Sequence, residues 1–297
     1  MRLAAALAAR LPAWLILAVT WVMAWPLSWL PLGRLRVARH NIALACPQLD
    51  CRQRRRLLRH CLAHWLVTAL EILQAGSSHL NAVQLLQRMS LEGLVHLDQA
   101  LRQGRGVILL SAHLGNFSWF VLRLAAQGYP VTVFYKEQSA LPAHFFRRIM
   151  ERFGVEGLAV QEGRHEAARQ ALRALRHGRV LFIHMDQGRR HGETVRFLGQ
   201  MIQLPAGPAV LAAASGAPCL PAFTWRMAQR HTALIHAPLA LAQERTPQAL
   251  HANLQIMTNA LEQAIMAHPA QWLWMHRLFK WSRSCSIGEQ APMSGLL

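Results

Sequence analysis

Residues 111–119 read SAHLGNFSW and place His113 directly behind an apolar run. An imidazole in that position suits a general base, which takes a proton from a hydroxyl or amine as that group attacks an acyl carbonyl. Gly115 and Asn116 follow as turn formers at the head of a predicted helix, so their backbone amides are candidates for stabilising an oxyanion. Ser118 stands five positions after the histidine, where a partner for the base is expected.

Asp186 is a second residue in a reactive position. It follows the apolar run VLFIHM and precedes QGRRHG, and it is one of only three aspartates in the chain. In α/β sheets, reactive groups collect where the carboxyl ends of strands meet loops and helix N-termini. The sequence therefore predicts that His113 and Asp186 both lie at such strand ends.

Apolar runs and helical patterns alternate along the chain from about residue 106. Strands alternating with helices of ten to fifteen residues predict an α/β fold with a mixed, largely parallel sheet flanked by helices. The predicted strands are 106–111, 131–135, 155–160, 180–185, 219–224 and 233–236, and the predicted helices are 53–74, 117–127, 141–153, 164–177, 206–215 and 246–268.

The N-terminal region contains the uncharged stretch LPAWLILAVTWVMAWPLSWLPL, residues 11–32. Twenty-two residues are long enough to cross a bilayer, although Pro26 and Pro31 break or tilt the second half. A cleaved signal peptide is the rival interpretation, but no small-residue cleavage site follows. We therefore expect an uncleaved membrane anchor in residues 1–33 and an α/β domain in residues 34–297. The arginines after the anchor predict that this domain faces the cytoplasm.

The composition indicates a polyanionic partner. The formal net charge is +18, and nearly all of the positive charge is arginine. Guanidinium groups bind phosphate and carboxylate in bidentate fashion, which fits nucleic acid, an anionic membrane, a phosphorylated lipid or an acidic protein. The charge alone does not choose among these. Candidate residues for this contact are Arg147, Arg148, Arg189, Arg190 and Arg196.

Two other classes of site have little support in the sequence. His184, His191 and Asp186 lack the spacing and the cysteine companions of a zinc site, so no metal is expected. The glycine patterns of nucleotide-binding loops are absent. The five cysteines are an odd number without the density of a disulfide scaffold, which favours free thiols in a reducing compartment.

Five segments of the chain, in order, resemble the lipid A biosynthesis acyltransferases. The segment GRGVILLSAHLGNFSW is similar to the active-site segment of that family and, more distantly, to the His-x-x-x-x-Asp/Glu motif of glycerolipid acyltransferases. The other resemblances lie in RVARHNIALACPQL, LEGLVHLDQAL, VLFIHMDQGRRHGETVRFLGQ with LPAGPAVLAAASGAPCLPAF, and HPAQWLWMHRLFK.

The resemblance implies a function. It implies transfer of a fatty acyl chain from acyl carrier protein or coenzyme A to a hydroxyl of a phosphorylated glycolipid, with no cofactor beyond the thioester co-substrate. His113 would be the base, Gln187 and the arginine candidates would bind substrate, and the partners would be acyl carrier protein, the glycolipid and the bacterial inner membrane. The arginine-rich composition suits both acidic carrier protein and lipid phosphates.

Ser118 departs from this family pattern, because the motif has Asp or Glu at that position. A serine can hold the imidazole tautomer but brings no charge to stabilise the imidazolium. Three explanations remain open: another carboxylate replaces it (Asp186 first, Glu137 second), the acceptor needs less activation, or the protein binds acyl chains, lipid or carrier protein without turnover. A basic nucleic-acid-binding protein is a further and weaker hypothesis.

Overall fold

The central feature of the fold is a sheet of seven strands in the order β1-β9-β8-β2-β5-β3-β4. The computed structural model describes residues 13–76, 80–135, 144–159, 164–190 and 192–281. Strands β8, β2, β5, β3 and β4 run parallel, whereas β8 and β9 form an antiparallel hairpin and β1 pairs parallel to β9. The strands are β1 Met89–Glu92, β2 Val107–Ser111, β3 Val131–Tyr135, β4 Glu156–Ala159, β5 Val180–His184, β6 Glu193–Phe197, β7 Gln200–Leu204, β8 Cys219–Met227 and β9 Arg230–Ile235.

Helices cover the two faces of the sheet, which explains why its central strands are apolar on both sides. All five residues of β2 are buried, as expected for a parallel strand between two helical layers. The helices are α1 Ala13–Leu27, α2 Gly33–Ala45, α3 Cys51–Ala75, α4 Ala82–Arg88, α5 Leu94–Leu101, α6 Phe117–Ala126, α7 Phe145–Phe153, α8 Arg164–Arg176, α9 Gly207–Ser215 and α10 Pro247–Ala267.

The predicted mixed, largely parallel sheet flanked by helices is confirmed. The sequence pattern did not predict β1, nor the separate β6–β7 hairpin. The hairpin has a two-residue turn in which Leu198 and Gly199 both adopt positive φ angles, of 52° and 74°. Such turns match the twist of paired strands, but a leucine at a positive φ gives no recognisable turn signal.

The N-terminal apolar stretch forms α1 and a following turn. The described part of this helix, Ala13–Leu27, has 15 residues. Within the described residues, no helix is long and apolar enough to span a membrane. The expected membrane-spanning helix is therefore not supported.

The segment after α10 crosses the carboxyl ends of the sheet strands. It contains two short 3₁₀ helices, Pro269–Gln271 and Leu278–Trp281. Trp272 forms an isolated antiparallel bridge with Leu114, and the amide of Leu273 donates to the carbonyl oxygen of His113 at 3.1 Å. The side-chain amide of Asn41, on α2, donates to the carbonyl oxygens of Trp274 and His276, at 2.7 Å each. This closing segment is thereby fixed beside His113.

Candidate active site

His113 and Asp186 meet because β2 and β5 are adjacent and parallel. Ser111 at the end of β2 pairs with His184 at the end of β5. His113 and Asp186 each lie two residues beyond that pair, so the register brings them to the same point above the sheet edge. The amide of Met185 continues the pairing by donating to the carbonyl oxygen of Ser111 at 3.2 Å.

The Asp186 carboxylate binds His113 through both of its oxygens. Oδ1 lies 2.8 Å from Nδ1 of the imidazole, and Oδ2 accepts a hydrogen bond from the His113 backbone amide at 2.7 Å. Oδ2 also accepts from the indole Nε1–H of Trp272 at 2.7 Å. The Asp186 side chain is 0% exposed and that of His113 is 16% exposed. A buried anion with three donors thus orients an imidazole that reaches the surface.

Electrostatics keep Asp186 ionised in this buried position. Burial by itself raises the pKa of the Asp186 carboxyl. The hydrogen bond from His113 and the charge of that ring when it is protonated outweigh burial and hold this pKa below its ordinary value. The carboxylate therefore accepts a hydrogen bond from Nδ1–H, and the lone pair of the neutral imidazole lies on Nε2.

Gln187 covers this second ring nitrogen. Its side-chain nitrogen lies 3.3 Å from Nε2 of His113 and 3.2 Å from Nε2 of His276. A carboxamide nitrogen has two protons and no lone pair to share, so both imidazoles accept from it at Nε2. Burial, followed by the nearby His113, lowers the pKa of His276 to about 4, and that histidine is neutral at pH 7.

His184 completes a cluster of three histidines. Its ring stacks on that of His113 with centroids 4.4 Å apart, while the His276 ring meets the His113 ring edge-on at 4.9 Å. Burial, then the neighbouring His113, depresses the pKa of His184 well below its ordinary value. Two neutral imidazole rings and one carboxylate therefore surround His113, and the carboxylate is the group that can stabilise a proton taken up by its ring.

A mostly apolar cavity of about 540 Å³ opens beside His113. Residues of α3, α6, β3 and α7 line it, together with residues of the closing segment and of the β2 and β5 ends. Its polar lining consists chiefly of Arg34, His113, Ser118, His184, Gln187 and His276, and its apolar lining includes Ile72, Phe117, Val121, Leu122, Val133, Phe146, Ile149, Met150, Leu273 and Met275. The cavity therefore has a mostly apolar lining with a few polar groups beside the imidazole, which is typical of sites for apolar ligands.

Ser118 lies in the first turn of α6 and lines the same cavity. No hydrogen bond of its hydroxyl occurs within the described residues, and Nδ1 of His113 is taken by Asp186. Two carboxylates were candidates to replace the motif acid, and Asp186 is the one that contacts Nδ1 of His113. Glu137 lies outside the described residues, as does His191.

Gly115 and Asn116 hold the turn between His113 and α6. The Gly115 amide donates to the carbonyl oxygen of Gln271 at 3.1 Å, and a Cβ at this positive-φ residue would lie 2.1 Å from the carbonyl oxygen of Thr224. The Asn116 side chain caps α6 by accepting from the Trp119 amide at 3.0 Å. Its Nδ2 donates to Glu71 at 2.8 Å. The backbone amide of Gly115 and the side chain of Asn116 are thus engaged within the fold.

Glu71 is a buried carboxylate that sequence inspection did not single out. Besides Asn116, it receives hydrogen bonds from Arg226 and His231. Burial raises its pKa, but His231 and Arg226 more than compensate and lower it to about 2. The carboxylate therefore ties α3 and the β8–β9 hairpin to the turn that carries His113.

The predicted arginines lie at the surface. Arg147 and Arg148 are exposed on α7, whose Phe146 and Ile149 line the cavity, and Arg147 pairs with Glu151 at 3.4 Å. The side chains of Arg189, Arg190 and Arg196 are exposed as well. Arg34, which lines the cavity itself, was not among the predicted residues.

The roles of Trp272, His276 and His184 at the site were also missed. Trp272 and Trp274 of the closing segment are fully buried. The sequence feature that could have indicated a role for Trp272 is its indole N–H, because a buried indole N–H needs a hydrogen-bond partner. Nothing in the sequence indicates that this partner is Asp186, 86 positions away.

The chain is similar to known acyltransferases. The chain is 30% identical over 203 residues to the phosphatidylinositol mannoside acyltransferases of two Mycobacterium tuberculosis strains. That match covers 66% of this chain and 61% of each relative. The enzyme of the same description from Mycolicibacterium smegmatis is 30% identical over 134 residues, which is 44% of this chain and 43% of the relative. Residues 3–281 match the family described as bacterial lipid A biosynthesis acyltransferase, and the chain belongs to that family.

Proposed function

We propose that the protein is an acyltransferase that moves a fatty acyl chain from a thioester of acyl carrier protein or coenzyme A to a hydroxyl of a membrane glycolipid. The observation that carries this proposal is the 2.8 Å contact between His113 Nδ1 and Asp186 at the mouth of the apolar cavity. An oriented base beside a slot for an aliphatic chain suits acyl transfer. Family membership supports the same reaction type.

In the proposed mechanism, the acceptor hydroxyl replaces the Gln187 carboxamide at Nε2 of His113. Nε2 takes the hydroxyl proton while the oxygen attacks the thioester carbonyl carbon. The tetrahedral intermediate collapses by breaking the carbon–sulfur bond, and the imidazolium returns its proton to the leaving thiolate. The products are an ester and a free thiol, and His113 is regenerated.

Asp186 has two tasks in this mechanism. It fixes the Nδ1–H tautomer, and it stabilises the imidazolium that exists between the two proton transfers. Because the Gly115 amide is already engaged by Gln271, we assign oxyanion stabilisation to the displaced Gln187 carboxamide.

We further propose that the acceptor is a phosphorylated glycolipid at the inner surface of a bacterial cytoplasmic membrane. The relatives are described as acting on phosphatidylinositol mannoside, which is itself a phosphorylated glycolipid. Exposed Trp21, Val22, Trp25 and Trp29 on and after α1 suit a membrane interface. The exposed arginines on α7 and after β5 suit acidic carrier protein or lipid phosphate.

The test is an acyl-transfer assay on the purified full chain. Radiolabelled acyl-carrier-protein and acyl-coenzyme A thioesters are incubated separately with a lipid A precursor, phosphatidylinositol mannoside, or no acceptor. Labelled glycolipid should form with the wild-type protein and not with His113→Ala. Equal product from both proteins would remove His113 as the base. Absence of transfer from the wild type, with retained binding of the acyl donor, would instead favour a non-catalytic acyl-binding protein.

A further inference from the structure

Two further cavities adjoin each other between α1, another face of α3 and the β8–β9 hairpin. Their volumes are about 290 Å³ and 500 Å³. Both are lined by Leu17, Val67 and Arg226, and neither shares a lining residue with the catalytic cavity. The two cavities are therefore neighbours, and they are distinct from the catalytic cavity.

The smaller cavity is cationic. Its lining contains Arg88, Arg226 and Arg230 but a single carboxylate, Glu71, which Arg226 and His231 already engage. Within the described part of the chain, the guanidinium groups of Arg88 and Arg230 make no ion pair or hydrogen bond. Carboxamides complete the polar lining, at Gln74, Gln87 and Gln229.

Strand pairing forces these charges together. Met89 in β1 pairs in parallel with His231 in β9, and Arg88 and Arg230 are the residues immediately before that pair. Arg88 is the last residue of α4 and Arg230 is the first residue of β9, and because both line the smaller cavity their like charges repel each other. In addition, Nε of Arg226 is buried without a hydrogen-bond partner. An anion with several acceptor oxygens would relieve the repulsion and satisfy the buried donor.

The larger cavity is apolar along most of its length. Leu17, Ala18 and Val22 present one side of α1, and the ring of Trp21 lies beside them. A cationic pocket that adjoins an apolar groove matches a molecule with an anionic head and a hydrocarbon chain. Phosphate suits the head, because guanidinium groups bind it through paired hydrogen bonds.

We propose that these two cavities form a second site that binds an anionic phospholipid, with its phosphate at Arg88, Arg226 and Arg230 and one acyl chain along α1. Bound lipid would hold α1 against α3 and the hairpin. Because Arg226 also contacts Glu71, the site adjoins the network behind the catalytic turn without taking part in the reaction.

The test measures binding of decyl phosphate, below its micelle concentration, to the full chain by calorimetry. Decyl maltoside carries the same chain without the anion, so it tests the need for the anionic head group. Inorganic phosphate carries the anion without the chain, so it tests the need for the chain. The variant Arg88→Gln/Arg230→Gln should bind decyl phosphate at least tenfold more weakly, because a tenfold loss corresponds to about 1.4 kcal/mol, no more than one charged hydrogen bond contributes. Arg102→Gln/Arg176→Gln, with the same charge change at exposed positions elsewhere, should bind like wild type.

Four results would overturn the proposal. Equal weakening in both double variants would indicate nonspecific attraction, and equal binding of decyl maltoside would remove the role of the anion. Inorganic phosphate binding as tightly as decyl phosphate would indicate a free-phosphate site. Loss of binding in Ser118→Trp, which fills the catalytic cavity, would locate the ligand there. None of these readouts uses acyl transfer, so the proposal fails or stands separately from the proposed function.

Discussion

Asp186 and His113 lie side by side because each follows the paired ends of β5 and β2 by two residues. The carboxylate contacts both Nδ1 and the backbone amide of the histidine, at 2.8 Å and 2.7 Å. One anion thus fixes both the ring and the backbone of the proposed base. The position five residues after the histidine, held by Ser118, has no part in this contact.

Asp186→Asn should reduce acyl transfer by about three to four orders of magnitude. The amide retains the shape of the side chain but removes the charge that stabilises the imidazolium, and its NH₂ group favours the wrong tautomer of His113. In serine proteases the equivalent change costs about 10⁴ in turnover. The measurement is kcat/KM with an acyl-thioester donor, with thermal unfolding as the folding control. A loss of less than about tenfold would contradict the assigned role.

Ser118→Ala should leave activity within about twofold of wild type, corresponding to less than about 0.5 kcal/mol. The hydroxyl makes no hydrogen bond within the described residues, and Asp186 already occupies Nδ1. Ser118→Glu should not raise activity, because it adds a charge to an apolar cavity. Both are checked in the same transfer assay. A gain of tenfold or more with glutamate would show that the motif carboxylate was limiting.

Trp272→Phe should lower both stability and activity. It keeps most of the buried ring but removes the indole donor to Oδ2 of Asp186, and a lost partner of a buried charged group costs about 1–3 kcal/mol. Urea unfolding and kcat/KM measure the two effects. The matched control is Trp274→Phe, whose indole donates to the carbonyl oxygen of Pro269 instead. Similar loss of activity in both variants would indicate a general packing effect.

Acidification from pH 7 to pH 5 should destabilise the fold. Burial lowers the pKa of His64 to about 3, and burial also lowers the pKa of His276 to about 4. The unfolded chain then binds more protons than the folded one as the pH falls below about 6.5. Each such histidine costs up to about 2 kcal/mol between pH 6.5 and pH 5.

Urea unfolding at pH 7.5, 6.5 and 5.0 measures how the free energy of unfolding depends on pH. His64→Gln should reduce the pH dependence of the free energy of unfolding by the equivalent of about one bound proton. His251→Gln, at an exposed position, should leave that dependence unchanged. Below about pH 4.5 a second loss should follow, because Glu71 has its pKa lowered to about 2 and its stabilisation disappears as the carboxylate protonates. A wild-type stability that is flat between pH 7.5 and pH 5.0 would contradict this assignment.

Val121→Trp should reduce transfer of long acyl chains more than transfer of short ones. Val121 is 6% exposed and lines the cavity on α6, so a larger ring occupies space that a long chain needs. Competition between a short-chain and a long-chain thioester gives the ratio directly. Val210→Trp, at a position 44% exposed on α9, is the control and should leave the ratio unchanged. An unchanged ratio in Val121→Trp would separate the cavity from the acyl chain.

The sequence determined the local features of this protein, because they depend on residues close together in the chain. Apolar runs predicted β2, β3 and β5 nearly to the residue, and helical spacing predicted α3, α6 and α10. The same patterns put His113 and Asp186 at strand ends, and the ordered motifs indicated the family. The β6–β7 hairpin escaped because its turn uses Leu198 at a positive φ.

The tertiary structure decided which of these residues meet. The β2–β5 register joins His113 to Asp186 across 73 positions, and the closing segment brings Trp272 to the same carboxylate. The register between strands depends on the packing of the whole sheet, which no local pattern encodes. For the same reason, the cavity beside His113, the network around Glu71 and the Arg88–Arg230 pair became visible only in the folded chain.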